Sequence, residues 1–156
     1  ISVLGRIAFY APMGVALAMF PKTSELFERG EDYRRLFLKA MVLTLFITGG
    51  VALAYGPFSQ SITEFVFGAK YPQAATYLFS YGLAMALFAL SFLLMNYFLS
   101  LNQTQVAYAI TGVMLLQLTL IALFHSSIAQ LVNIMLVCGV ILLVLMLPFY
   151  LKGRRA

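Results

Sequence analysis

Residues 74–99 read AATYLFSYGLAMALFALSFLLMNYFL and carry no charge. They are the first of three long apolar runs in a region, 71–151, that contains no Asp, Glu, Lys or Arg. As a single helix this region would extend roughly 120 Å, several times the ~30 Å hydrocarbon core of a bilayer, so it must cross a membrane repeatedly. Because backbone polar groups in lipid need internal partners and the runs show no alternation, the sequence predicts an all-α membrane protein.

The composition of the whole chain supports this prediction. It is 63% hydrophobic and only 10% charged, whereas soluble domains carry about 25% charged residues. The net charge of +5 does not indicate nucleic acid, since the Lys and Arg residues lie at the ends of apolar runs. We therefore expect the lipid bilayer, and no nucleic acid, as a partner. Ile1 stands inside an apolar run without a basic n-region, which predicts a fragment of a longer protein and no signal peptide.

About five transmembrane helices are predicted, each near the ~20 residues that one crossing needs. The charged segment 21–37 follows the first span, and residues 25–39 are expected to form an amphipathic helix or helical hairpin on the membrane surface. The predicted spans are 1–20, 38–56, 74–99, 106–124 and 128–151. The chain 1–156 is thus predicted to be a single transmembrane unit.

Lys and Arg residues predict the orientation of these spans. Residues 22–39 contain five of them and the tail 152–156 contains three, whereas the stretches on the opposite side hold only Lys70. Five crossings place 22–39, the uncharged turn 100–105 and the tail on one side, which we predict to be the cytoplasm. The protein is therefore expected to be a multi-pass protein of the cytoplasmic (inner or plasma) membrane with a cytoplasmic C-terminus. Four aromatic residues gather near the inner boundary, as interfacial belts do: Tyr97, Phe98, Phe149 and Tyr150.

Proline and glycine residues interrupt two of the predicted spans. Pro12 and Gly14 are candidates for a hinge in the first span, since proline frees a carbonyl group and bends a helix. The alternative is that both are packing residues, because Pro and Gly are common in membrane helices. Gly49 and Gly50 lie in the middle of the second span, where we expect them to allow close contact between helices.

Four polar residues are candidates for lining a substrate cavity. Arg6 is expected in the outer third of the hydrocarbon core, where a charge is costly unless it faces water or a partner. It either lines a hydrophilic cavity for an anionic substrate or extends to the outer headgroups. Thr104, Tyr108 and Thr111 follow i, i+4, i+7 spacing and are therefore expected to share one side of the fourth helix. There they either line a cavity or form interhelical hydrogen bonds.

Nothing in the sequence suggests catalysis, and we predict no enzyme, no cofactor and no metal site. His125 is the only histidine and has no cysteine or carboxylate beside it. A membrane-embedded transferase would need clustered catalytic acids or histidines. The single cysteine, Cys138, lies inside an apolar run and is expected to be a small buried apolar residue.

Two short motifs resemble a family of transporters. Residues 20–25, FPKTSE, resemble the F-P-x-x-[SA] turn at the end of a span in bacterial and archaeal polysaccharide exporters. Residues 67–71, FGAKY, resemble the F-G-x-x-[YF] element that precedes the next span in those proteins. They belong to the multidrug/oligosaccharidyl-lipid/polysaccharide exporter superfamily. The uncharged turn 102–105 departs from relatives that often carry a basic residue there.

The resemblance implies that the chain is the C-terminal part of a twelve-helix, two-lobe transporter that works by alternating access. The implied function is export or flipping of lipid-linked oligosaccharide or polysaccharide precursors, with Arg6 as the candidate for phosphate contact. The implied partners are the lipid-linked glycan and the missing N-terminal helices of the same protein. The alternatives are a multidrug or lipid II exporter of the same superfamily, or a non-transporting membrane scaffold subunit.

Overall fold

Six helices make up the part of the chain, residues 2–67 and 72–153, that this computed structural model describes. No strand occurs in those two ranges, which confirms the prediction of an all-helical chain. In chain order the helices are α1 (Ser2–Glu28), α2 (Arg34–Tyr55), α3 (Ser59–Phe67), α4 (Pro72–Ser100), α5 (Val106–Leu123) and α6 (Ile128–Gly153).

Within the described part of the chain, four helices are long and apolar enough to cross a membrane. They confirm a chain with several potential crossings and correspond to the second to fifth predicted spans. The qualifying stretches are Arg34–Tyr55, Ala75–Ser100, Val106–Leu123 and Ile128–Tyr150. α1 has 27 residues but is not among these four, so the first span stays a prediction, as does the cytoplasmic side of the C-terminus.

The charged segment 21–37 is not one separate helix, and its place at a membrane surface stays a prediction. α1 continues through Pro21 to Glu28, residues 29–33 form a short connection, and α2 begins at Arg34. The segment is therefore the end of one long helix and the start of the next.

Gly30, and not Pro21, terminates α1. Its φ of 68° is left-handed, a conformation that glycine adopts without steric cost. The amide of Glu31 donates to the carbonyl of Leu26 at 2.9 Å, and the amide of Gly30 donates to that of Phe27 at 3.1 Å. These two bonds form a Schellman motif, which satisfies carbonyl groups at the end of the helix.

Ion pairs balance part of the positive charge at this end of the bundle. Lys22 Nζ donates to Glu25 Oε2 at 3.1 Å, and Arg29 Nη2 lies 2.7 Å from Glu25 Oε1. The hydrogen bond from Lys22 and the charge of Arg29 together hold the pKa of Glu25 below its ordinary value. Arg35 Nε pairs with Asp32 Oδ2 at 3.0 Å.

α4 is the central helix, since it contacts each of the other five. Its buried face is rich in small side chains, which allow neighbouring backbones to approach closely. These residues include Ala84, Ala86, Ala89 and Ser91. α5 packs mainly against α6 and is the least buried of the four candidate spans.

Two glycines lie at the tightest contacts between α4 and its neighbours, Gly82 on α4 itself and Gly139 on α6. A Cβ atom added at Gly82 would lie 2.6 Å from Cδ2 of Tyr55 on α2, and one at Gly139 would lie 3.0 Å from Cβ of Leu87 on α4. Tyr55 is held in place because its hydroxyl donates to the carbonyl of Leu4 on α1. Gly82 therefore allows one aromatic side chain to join three helices.

The expectation that Gly49 and Gly50 mediate close helix contact is wrong. A Cβ at either position would meet no atom within 4 Å. The reason is that neither glycine lies on the buried face of α2, which is the face that packs against other helices. That face consists of Phe37, Ala40, Thr44, Thr48, Ala52 and Tyr55.

We predict that Gly82→Ala destabilises the detergent-solubilised protein by about 1–3 kcal/mol, because the new methyl group displaces the Tyr55 ring. Gly50→Ala is the matched control, and it should leave the melting temperature unchanged or slightly raised, since alanine is the better helix former. Thermal unfolding followed by circular dichroism measures both. Equal melting temperatures for the two variants would contradict the close contact between α2 and α4.

Candidate functional site

An apolar groove with a volume of about 340 Å³ runs along α4 between α1, α5 and α6. Phenylalanine and methionine side chains form most of its lining. Ser91 and Gln117 are the polar groups among the described lining residues. The full lining is Phe9, Met85, Phe88, Ser91, Phe92, Met95, Ile110, Val113, Met114, Gln117, Leu142 and Met146.

Helical spacing explains which residues line the apolar groove. On α5 the lining positions 110, 113, 114 and 117 recur at i, i+3, i+4 and i+7, so they form one stripe. Phe9 of α1 meets Phe92 of α4 edge-on, with ring centroids 5.9 Å apart. The Ser91 hydroxyl donates to the carbonyl of Leu87 at 2.9 Å, so it is satisfied within its own helix. Flexible methionines complete a surface that can adapt to an apolar chain.

Arg6 and Tyr81 lie together near one end of the apolar groove. Arg6 precedes the lining residue Phe9 by one turn of α1, and Tyr81 precedes Met85 by one turn of α4, so each shares a face with a lining residue. The positive charge of Arg6 acts on the Tyr81 hydroxyl, which places the two groups within electrostatic reach of each other. The Arg6 side chain is exposed. A cation and a hydroxyl group thus lie one helical turn from residues that line the apolar groove, although neither Arg6 nor Tyr81 is among the described lining residues.

The proposed hinge residues lie in an uninterrupted part of α1. The helix runs through both Pro12 and Gly14. Pro12 is buried, whereas Gly14 is exposed and lines a second groove, between α1 and α2, together with Lys22 and Lys39. Hinge motion at these residues stays a prediction.

The predicted polar stripe is only partly on one helix. Thr104 lies in the turn before α5, which begins at Val106, so the expectation that it shares this helix with Tyr108 and Thr111 is wrong. All three side chains are exposed, Tyr108 by 81%. None of the three is among the described residues that line the apolar groove, which Gln117 of the same helix does line. Their part in a substrate cavity stays a prediction.

A second cavity, of about 630 Å³, lies at the end of the bundle where the Lys- and Arg-rich connection joins α1 to α2. We call it the aromatic pocket. Tyr97 lines this pocket and stacks on Phe37, with ring centroids 4.0 Å apart. The lining residues are Phe27, Tyr33, Arg34, Leu38, Tyr97, Phe98, Leu101, Gln103, Phe149 and Tyr150. The aromatic residues that the sequence placed at the inner boundary therefore meet in one pocket.

Side chains of the kinds that bind metals do not cluster in the described residues, where no group of three or more His, Cys, Asp or Glu could hold an ion. The His125 ring lies at the end of α5, with Nδ1 3.0 Å from the carbonyl oxygen of Ala122. Cys138 is fully buried, which confirms its expected place in the core.

Comparison with known proteins finds no relative of this chain. No protein-family model, curated protein or solved structure gives a significant match. The resemblance to polysaccharide exporters therefore rests on the two sequence motifs. The first motif lies within α1, and residues 68–71 of the second lie outside the described part of the chain.

Proposed function

We propose that this chain is the C-terminal part of a twelve-helix, two-lobe transporter that flips or exports lipid-linked oligosaccharide or polysaccharide precursors. The proposal is supported by Arg6 and Tyr81, which each lie one helical turn before a residue that lines the apolar groove and which interact electrostatically. The order of the two exporter-like motifs supports it as well.

A lipid-linked glycan has two chemically different parts that such a site would bind separately. Its isoprenoid chain is apolar and irregular in shape, and the methionine and phenylalanine lining of the apolar groove can adapt to it. Its pyrophosphate is an anion, for which a guanidinium group is a suitable partner because it forms charge-assisted hydrogen bonds. A positive charge within an apolar helix is costly, which favours a functional reason for Arg6.

Exposed side chains on α5 and α2 fit a part of a larger assembly. Tyr108 on α5 and Phe46 on α2 are among the most exposed large side chains of the bundle. In the proposed transporter, lipid and the helices of the other lobe cover these faces. Tyr108 and Thr111 would then border the cavity between the lobes.

The alternatives differ in what they require of Arg6. A lipid II exporter moves a related lipid pyrophosphate and would use the same groove. A multidrug exporter for cationic compounds would be hindered by a positive charge at the mouth of the apolar groove. A scaffold subunit would move no substrate and would tolerate loss of the charge.

We predict that Arg6→Gln slows translocation of a lipid-linked oligosaccharide by about tenfold in proteoliposomes of the complete transporter. This is the expected effect of losing one charge-assisted hydrogen bond to the substrate. Arg6→Lys should restore part of the rate, because it keeps the charge without the bidentate geometry. Lys22→Gln, which removes a charge at the other end of α1, should stay within about twofold of the wild type.

Wild-type translocation by Arg6→Gln would contradict the proposed phosphate contact and leave Arg6 as a residue that extends to the headgroups. Transport of cationic drugs, without transport of the lipid-linked glycan, would favour the multidrug alternative. A purified complete protein that moves neither substrate would favour the scaffold.

A second prediction concerns the apolar groove itself. Met114 and Leu115 are neighbours on α5, each 60% exposed, but only Met114 lines the groove. Met114→Trp should fill the groove and lower the translocation rate at least fivefold, because the larger side chain occupies the space that the isoprenoid chain would need. Leu115→Trp should have little effect. Equal rates for the two variants would show that the groove does not bind substrate.

A further inference from the structure

The groove between α1 and α2 that Gly14 lines has a volume of about 510 Å³, and we call it the lysine groove. Lys22 of α1 and Lys39 of α2 are the charged residues among its described lining residues, which include no carboxylate. The other lining residues are all apolar: Gly14, Val15, Ala18, Met19, Leu36, Ala40 and Leu43. The lysine groove therefore combines two positive charges with an apolar wall.

Helical spacing places both lysines towards the same end of the lysine groove. On α1, Lys22 follows Val15 and Ala18 by seven and four residues, so the three share one side of the helix. On α2, Lys39 precedes Leu43 by four residues on one side of that helix. The short connection 29–33 joins the two helices, and both lysines lie nearer to it than Val15 and Leu43 do. The end towards the connection is thus cationic, and the groove is apolar beyond it.

Both ammonium groups can take up an additional anion. Lys39 is exposed and forms no ion pair within the described part of the chain. Lys22 pairs with Glu25 at 3.1 Å, but Glu25 also pairs with Arg29 at 2.7 Å. Glu25 therefore keeps a partner when Lys22 turns towards another negative group.

The depth of Lys39 favours an anion that belongs to a lipid. It lies inside the candidate span Arg34–Tyr55, five residues or roughly 8 Å after the first residue of that span. A charge at this depth is costly unless its flexible stem carries it to the headgroups. A protein helix that neutralised it would have to bring a carboxylate into the membrane at a similar cost, whereas a phospholipid already carries its phosphate at this level. Basic pockets between transmembrane helices are known to bind anionic headgroups.

The apolar part of the lysine groove is open space. A Cβ atom added at Gly14 would meet no atom within 4 Å, although Gly14 lines the groove. The neighbouring lining positions on α1 and α2 include the small side chains of Ala18 and Ala40. An acyl chain that continues from a phosphate at the lysines can therefore lie along this wall.

We propose that the lysine groove binds an anionic phospholipid from the leaflet at the Lys- and Arg-rich end. Lys22 and Lys39 hold the phosphate oxygens through charge-assisted hydrogen bonds, and one acyl chain lies against the apolar wall. The proposal does not depend on the transport function. The lysine groove lies between α1 and α2, whereas the apolar groove lies between α1, α4, α5 and α6.

Binding of single phosphatidylglycerol molecules to the delipidated complete protein, measured by native mass spectrometry in detergent, tests the two lysines. Detergent removes the charged membrane surface, so diffuse attraction to it does not contribute. Lys39→Gln should weaken binding about tenfold, because it removes one charge-assisted hydrogen bond. Arg34→Gln is the matched control: it removes a charge from the same end of α2, but Arg34 lines the aromatic pocket instead. It should weaken binding less than twofold.

A second pair of variants tests the apolar wall without changing any charge. Gly14→Leu places a side chain in the open part of the lysine groove and should weaken binding at least fivefold. Gly50→Leu adds the same side chain at a glycine that is equally open but does not line the groove, and it should change binding less than twofold. Unchanged lipid-free melting temperatures show that the variants remain folded.

Four outcomes would overturn the proposal. Equal losses in Lys39→Gln and Arg34→Gln would show general attraction to positive charge, and wild-type binding by Gly14→Leu would exclude an acyl chain in the groove. Equal binding of phosphatidylcholine would show that no anionic lipid is selected. Displacement of the lipid by free glycerol phosphate at the same concentration would assign the lysines to a soluble phosphate.

Discussion

Close approach of helix backbones to α4 holds this bundle together. In lipid there is little hydrophobic driving force between apolar helices, so their packing depends on van der Waals contact between backbones that come near each other. Gly82, Gly139 and the alanines along α4 allow that approach, and α1, α2 and α6 gather around this face. The apolar groove lies where α5 makes few contacts with α4.

The two ends of this helix bundle differ in their chemistry. In the N-terminal halves of α1 and α4, Arg6 and Tyr81 each lie one turn from residues of a groove lined by methionine and phenylalanine. At the other end, tyrosines and Arg34 surround a larger pocket next to the charged connection. In our proposal a lipid-linked glycan binds at the first site, because it combines an apolar chain with an anionic group.

The sequence predicts the helical class and four of the spans well, since long uncharged runs leave the backbone no other solution in lipid. It is less successful at the ends of helices and at contacts. The first predicted span ends at residue 20, but α1 continues to Glu28, and the left-handed Gly30 ends it because the two capping bonds form there. Gly49 and Gly50 resemble a packing motif, yet the contact is made at Gly82, because the direction of the buried face of α2 depends on its neighbours. Side chains from four helices line the apolar groove, so it could not be predicted from any one of them. On α5, Gln117 is the one polar residue that lines it.

The central claim is that Arg6 lies at a mouth of the bundle on the opposite side of the membrane from the charged connection. Single cysteines at Arg6→Cys and Arg35→Cys, in a background with the buried Cys138 replaced by alanine, test it in intact cells with a membrane-impermeant thiol reagent. The account predicts that position 6 reacts from outside and that position 35 reacts only after the membrane is permeabilised. Reaction of both positions from the same side would contradict it.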